Sequence, residues 1–230
     1  MSAIRLTGMI LWSILSITSS IIVRFLTFST DRGVAMARTV WSPVIVWMAG
    51  IKFTVKGLEN IPVDKRYYIV ISNHESVIDI PILCYTLPFN VYFVAKKEIN
   101  KVPFIGWYMH AMGMIFLDRG SREKSLQSMI SASSLIRAGK SVITFPEGTR
   151  SLNGQIGSFK KGTFIMAEQA GVDILPVKIT GAGKIWPSLG FTIKRGPVTV
   201  SFGKPISTAG LNNETRAAFI EKVRGVVEGL

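Results

Sequence analysis

Hydrophobic and polar positions follow two different patterns along this chain of 230 residues. Near the N-terminus stand two uncharged apolar runs, residues 8–23 and 40–51, each containing tryptophan. As helices they would be about 24 and 18 Å long, short of the roughly 30 Å hydrocarbon core of a bilayer, so neither is a comfortable span alone. From residue 52 the pattern changes, and short β-rich apolar runs alternate with helix-period segments punctuated by Gly, Pro and Asn. Strands are expected at 67–72, 91–95, 114–117, 141–145, 174–180, 191–194 and 198–202. Helices are expected at 122–138, closed by Gly139, at 161–170, closed by Gly171, and at about 214–228, after an asparagine pair able to cap it. This alternation predicts an α/β fold: a mixed, partly parallel sheet covered by helices. Ahead of it stands an N-terminal membrane-embedded two-helix segment. The division is residues 1–51 as an apolar anchor and 52–230 as the body.

Three other readings of the N-terminal segment stay open: one spanning helix, a cleaved signal peptide and a buried core helix. The signal reading lacks a clear cleavage site and has only Arg5 in its basic region. With one span, the excess of Arg24, Arg32 and Arg38 over Arg5 puts the body on the cytoplasmic side, and the hairpin permits the same side.

Composition sharpens this picture. Charged residues make up 18% of the chain, below the roughly 25% of an average soluble domain, so part of the surface faces something other than water. The net charge of +13 favours an anionic partner: nucleic acid, acidic lipid or a phosphorylated substrate. No aromatic-rich basic motif supports nucleic acid. A single cysteine, Cys84, excludes an intramolecular disulfide, and two histidines leave little material for a metal site.

Two polar constellations carry candidate chemistry, and each follows an expected strand. The first is Asn73-His74-Glu75-Ser76-Val77-Ile78-Asp79. A loop His74 folded back onto Asp79 would have its tautomer fixed, leaving the other ring nitrogen as a general base; the alternative is a helix-capping polar cluster. Cys84 lacks a basic neighbour and Ser76 lacks a nucleophile-elbow context, so a substrate hydroxyl is the natural acceptor of the histidine's help. The second constellation is Phe145-Pro146-Glu147-Gly148-Thr149-Arg150-Ser151, where an arginine fork and a glycine turn suit phosphate. Arg119 also ends an apolar run, at Gly113-Met114-Ile115-Phe116-Leu117-Asp118-Arg119. Either arginine alone reads first as a surface ion pair, and their common placement at strand ends points to a site.

Taken in order, these segments resemble the glycerolipid acyltransferase family. Asn73 to Asp79 is similar to its NHxxxxD motif, Gly113 to Arg119 to its second block, Phe145 to Ser151 to its FPEGTRS block, and Leu175-Pro176-Val177 to its fourth. Lys96-Lys97-Glu98 and Val102-Pro103-Phe104-Ile105-Gly106-Trp107 also look like family sequence. The resemblance covers about residues 52–206. It implies that His74 deprotonates the sn-2 hydroxyl of 1-acyl-sn-glycerol 3-phosphate, oriented by Asp79, and that the hydroxyl attacks the thioester of acyl-CoA or acyl-carrier protein to give phosphatidic acid. It implies an acceptor-phosphate site of Arg119, Glu147, Gly148, Thr149 and Arg150, with Glu147 positioning its neighbours and Lys96 a further basic candidate. Lys96, Lys97, Lys160 and Lys161 are otherwise readable as a solvated or lipid-facing surface. Phe104 and Trp107 are readable as an acyl route or as apolar packing, and His110 as structural. No metal or cofactor is implied beyond the thioester substrate, and the oxyanion donor is expected among backbone N–H groups of the first or third block. The expected partners are the lipid bilayer, the lysophospholipid and the thioester donor, with no nucleic acid, and the expected place is the cytoplasmic side of a cell inner membrane. The alternatives are another acceptor, such as glycerol 3-phosphate or a different lysophospholipid, and a non-catalytic protein that binds anionic lipid.

Overall fold

The computed structural model describes residues 2–62, 67–118, 120–190 and 192–230. The N-terminal apolar segment forms a helical hairpin. Its first arm is α1 (Ser2–Thr27), and its second is α2 (Thr30–Met36), a π-helical turn (Ala37–Trp41) and α3 (Ser42–Ala49). Small residues let the arms close antiparallel. A Cβ on Gly8 would meet the Met48 side chain at 2.4 Å, and one on Gly33 the Ser20 carbonyl at 3.1 Å. Midway, the Trp41 indole donates to Ser13 Oγ at 2.9 Å and the Trp12 indole to the Trp41 carbonyl at 3.3 Å. The expected two-helix segment is therefore present, its second arm assembled from three short pieces. Gly50, at φ +69°, ends α3 and turns the chain into β1 (Ile51–Lys56), a strand that the apolar pattern does not predict because it straddles the end of the apolar run and the start of the body.

After β1 come β2 (Ile69–Ser72), α4 (Asp79–Thr86), β3 (Val91–Lys96), α5 (Ile105–Ala111), β4 (Ile115–Leu117), α6 (Arg122–Arg137), β5 (Ser141–Thr144), α7 (Gly162–Ala170), β6 (Ile174–Thr180), α8 (Ala182–Ile185), β7 (Gly196–Phe202) and α9 (Arg216–Gly229). Among the described residues these strands form one sheet in the order β1-β7-β6-β2-β5-β3-β4, parallel except at the β6–β7 pair. β2 and β5 are buried at every residue, as strands covered on both faces must be. Side-chain alternation divides the interior into two cores. Val70, Val177 and Ile179 face α3 and α4 through Ile45, Ala49, Ile82 and Leu83, and Met9 of α1 joins that core. Ile69, Ile71 and Val142 face α6, α7 and α9 through Ile136, Phe164 and Val223.

Helix boundaries follow local chemistry: Ser121 Oγ accepts from Lys124 N to start α6, and Gly171 at φ +66° ends α7. A strand does not form where one was expected at 191–194: Phe191 lies outside the described residues, and residues 192–194 are irregular. The Lys194 amide donates to the Ile185 carbonyl of α8, and Ile193 is buried, so that run packs inward without joining the ladder.

Topology places a crevice. The chain leaves β2 across β5 to reach β3, and leaves β5 across β2 to reach β6, so the connections depart in opposite directions at the β2–β5 pair. The C-terminal ends of these two strands are where an open α/β sheet opens a binding crevice. Both polar constellations of the sequence emerge there.

Candidate active site

β2 delivers Asn73 and His74 directly into the crevice. The Asn73 amide pairs both ways with the backbone of Ile179, Nδ2 to the carbonyl and Ile179 N to Oδ1, each at 2.8 Å. This prolongs the β2–β6 ladder and fixes the direction in which the next residue leaves. Asp79, in the first turn of α4, is fully buried. Its Oδ2 lies 2.7 Å from His74 Nδ1 and accepts the Glu75 and Ser76 amides at 2.8 Å each, while Oδ1 has no hydrogen-bond partner among the described residues. A carboxylate so held accepts the Nδ1–H hydrogen bond of a neutral imidazole and leaves Nε2 unprotonated. The His74 ring stacks on Phe145 at 4.0 Å between centroids and 16° between planes, and its side chain is 17% exposed, enough for one edge to reach the cavity.

The loop after β5 is tied to the loop after β2. Glu147 is buried, and its two oxygens accept the amides of His74 at 2.9 Å and Gly157 at 2.8 Å. Ser151 N donates to the His74 carbonyl at 2.7 Å. Glu147 is thus engaged by backbone on both sides, a positioning geometry. Glu75 lies behind this loop, accepting from Gly183 N at 3.2 Å. Burial, with the charges of Asp79 and Glu147 adding a smaller push, raises its carboxyl above the usual range.

One cavity of about 840 Å³ joins these parts. Its polar end is formed by His74, Gly148, Thr149, Arg150 and Lys96, and its apolar length runs between α1 and the body, past Ile14, Ile17, Phe104 and Met109. Lys96 and Arg150 are exposed at this end, and Lys97 is instead paired with Asp118 at 2.7 Å, which raises the lysine and lowers the aspartate. Arg119 lies outside the described residues. Cys84 lines the cavity, but burial pushes its thiol up to about 12, and Ser76 Oγ is committed to the Trp186 carbonyl. Neither is poised as a nucleophile. His110 is exposed, against Phe116. Among the described residues no three His, Cys, Asp or Glu side chains group as metal ligands.

The acyltransferase family model matches residues 52–180, more than half of the chain, from β1 to β6, and includes both polar loops of the crevice. The chain belongs to the acyltransferase family. Among similar proteins are the chloroplast 1-acyl-sn-glycerol-3-phosphate acyltransferase of Arabidopsis thaliana, 36% identical over 80% of this chain and 52% of that relative, and the Saccharomyces cerevisiae enzyme of the same name, 35% identical over 79% and 60%. The chain therefore spans about half to three fifths of the length of these curated relatives. The crystal structure of the 1-acyl-sn-glycerophosphate acyltransferase PlsC from Thermotoga maritima is similar over 99% of this chain and 97% of that one, with a TM-score of 0.76 and 29% identity.

Three features of the acyltransferase site were not readable in sequence. Phe145 opens the FPEGTRS block and also floors the histidine; the hairpin supplies the wall opposite the body; and Asn73 works as an added strand residue. Each depends on a partner far away in the chain, so local spacing carries no signal of it.

Proposed function

We propose that this acyltransferase moves a fatty acyl group from acyl-CoA or acyl-carrier protein to the sn-2 hydroxyl of 1-acyl-sn-glycerol 3-phosphate, giving phosphatidic acid. The observation that carries this reading is the juxtaposition in one cavity of a His–Asp pair, a cationic end and a long apolar bore. Relatives named for this activity support it. His74 Nε2 accepts the hydroxyl proton as the oxygen attacks the thioester carbonyl carbon. Asp79 stabilises the imidazolium, and Phe145 offers its ring face to the same cation. Collapse of the tetrahedral intermediate breaks the C–S bond, and the departing thiolate takes the proton back from Nε2, leaving ester and free thiol. Gly148, Thr149 and Arg150, with Lys96 and Arg119, serve the acceptor phosphate, Glu147 holds their loop, and no cofactor enters beyond the thioester substrate.

We place the protein in one leaflet at the cytoplasmic face of a cell inner membrane. α1 is long and apolar enough to cross a bilayer, and its exposed face carries Leu11, Leu15, Ile22, Phe25 and Leu26. Its opposite face, from Leu6 to Ser20, lines the cavity of the body. A full span would draw the sheet into hydrocarbon, where open strand edges are not tolerated; a helix lying at the interface places the cavity beside lipid substrates. A cleaved signal would remove the cavity wall, which argues for retention of this segment.

The test is phosphatidic acid formation by purified protein in vesicles, with lysophosphatidic acid and either donor, alongside His74→Ala. Loss of product in the variant is expected. Equal rates in variant and wild type would remove the base from the mechanism, and no product with either donor would remove the assigned reaction.

A further inference from the structure

Four lysines, Lys96, Lys97, Lys160 and Lys161, are equivalent in sequence, and the structure separates them. Lys97 is held by Asp118. Lys161 occupies the turn into α7, its carbonyl accepting the amides of Phe164 and Ile165. Lys96 lines the polar end of the cavity. Lys160 is brought back from ten residues beyond Arg150. Phe159 is buried in the core against Phe164, the Lys160 amide donates to the Pro146 carbonyl at 2.9 Å, and Gly157 N donates to Glu147 at 2.8 Å. The returning segment is thereby fastened along the Pro146-Glu147-Gly148 turn.

Its side chain then lies over that turn: Lys160 Nζ sits 2.7 Å from the point that a Cβ on Gly148 would occupy. Gly148 adopts φ +73°, so the glycine both makes the turn and leaves room for the ammonium. Glu147, the carboxylate of that turn, has both oxygens occupied by backbone amides. Among the described residues neither Lys160 nor Arg150 forms an ion pair. Lys160 over the turn and Arg150, two residues after Gly148, both carry charge without an ion-pair partner among the described residues, and an anion that reaches both gains from each.

We propose that Lys160 is a ligand of the acceptor phosphate and that, with Arg150, it selects a terminal phosphate dianion over a phosphodiester or an uncharged headgroup. The proposal rests on the acceptor reading above. Arginine contributes a planar fork and lysine a movable point charge, a pair suited to an anion with nearly two charges and three free oxygens. A phosphodiester has a single charge and two free oxygens, and gains less from the second cation.

The experiment compares wild type with Lys160→Met, Lys160→Arg and Lys161→Met in vesicles of uncharged lipid, with thermal melting as a check on folding. KM and kcat are read for lysophosphatidic acid and for lysophosphatidylcholine, and inhibition by inorganic phosphate is measured. Loss of one charge-assisted contact predicts that Lys160→Met raises KM for lysophosphatidic acid about ten-fold, weakens phosphate inhibition and leaves kcat within about two-fold. Lys160→Arg recovers most of the loss, and Lys161→Met matches wild type. A wild-type KM in Lys160→Met, or an equal rise for both acceptors or in Lys161→Met, overturns the proposal while the acyltransfer reading stands. A wild-type protein inert toward lysophosphatidic acid overturns that reading and this one with it.

Discussion

Asp79→Asn isolates the electrostatic part of the His–Asp pair with little change of shape. The Glu75 and Ser76 amides demand an acceptor at the position of Oδ2, so the asparagine carbonyl takes that place and still accepts from His74 Nδ1. What disappears is the negative charge facing the imidazolium of the transition state. With charge centres about 4 Å apart and an effective dielectric of about 20, the Coulomb term is about 4 kcal/mol. Partial exposure of the His74 side chain lowers this, so about 2 to 4 kcal/mol is expected, a fall in kcat of roughly thirty- to a thousand-fold. The new amide nitrogen takes the position of Oδ1, which is buried and unpartnered, and an unsatisfied donor there costs stability of about 1 to 3 kcal/mol. The assay is kcat for phosphatidic acid at saturating acceptor and donor, with urea melting in parallel. A kcat within about three-fold of wild type in folded protein would show that the charge of Asp79 does not act on the reaction.

Other sites yield further tests. Glu75 has its carboxyl raised by burial, so the folded state binds its proton more tightly than the unfolded chain. That stabilisation is complete below the unfolded value and is lost as pH rises through the raised folded one, so Glu75→Gln should gain in Tm relative to wild type as pH rises above the ordinary glutamate range of about 4; a pH-independent difference would refute this. Gly106→Ala would place a Cβ 2.3 Å from the Asn100 carbonyl oxygen, a backbone atom that no rotamer change relieves. The expected cost is about 1 to 3 kcal/mol by urea denaturation, and an unchanged midpoint would contradict the packing described. Ile17→Trp narrows the bore between α1 and the body, and the fatty acids of the phosphatidic acid formed should shift to shorter chains; an unaltered profile would mean that the acyl chain lies elsewhere.

The alternation of apolar runs and helix-period segments determined the fold class, because each buried strand and each amphipathic helix writes its own periodicity. Glycine signals at Gly139 and Gly171 marked helix ends correctly, since positive φ is a local demand. His74 and Asp79 were legible as a pair because five residues of one chain suffice to bring them together. The break between helix and strand at Gly50 and Ile51 was not legible: apolar residues continue through it, and the edge pairing of β1 with β7 joins positions far apart in sequence. Local apolarity likewise suggested a strand at 191–194, whereas packing against α8 keeps the described part of that run out of the sheet. The equivalence of the four lysines, the commitment of Glu147 to two backbone amides and the cavity wall supplied by α1 were decided only in three dimensions. Side-chain type is local information, but the identity of a charge's neighbour depends on how distant segments close upon one another.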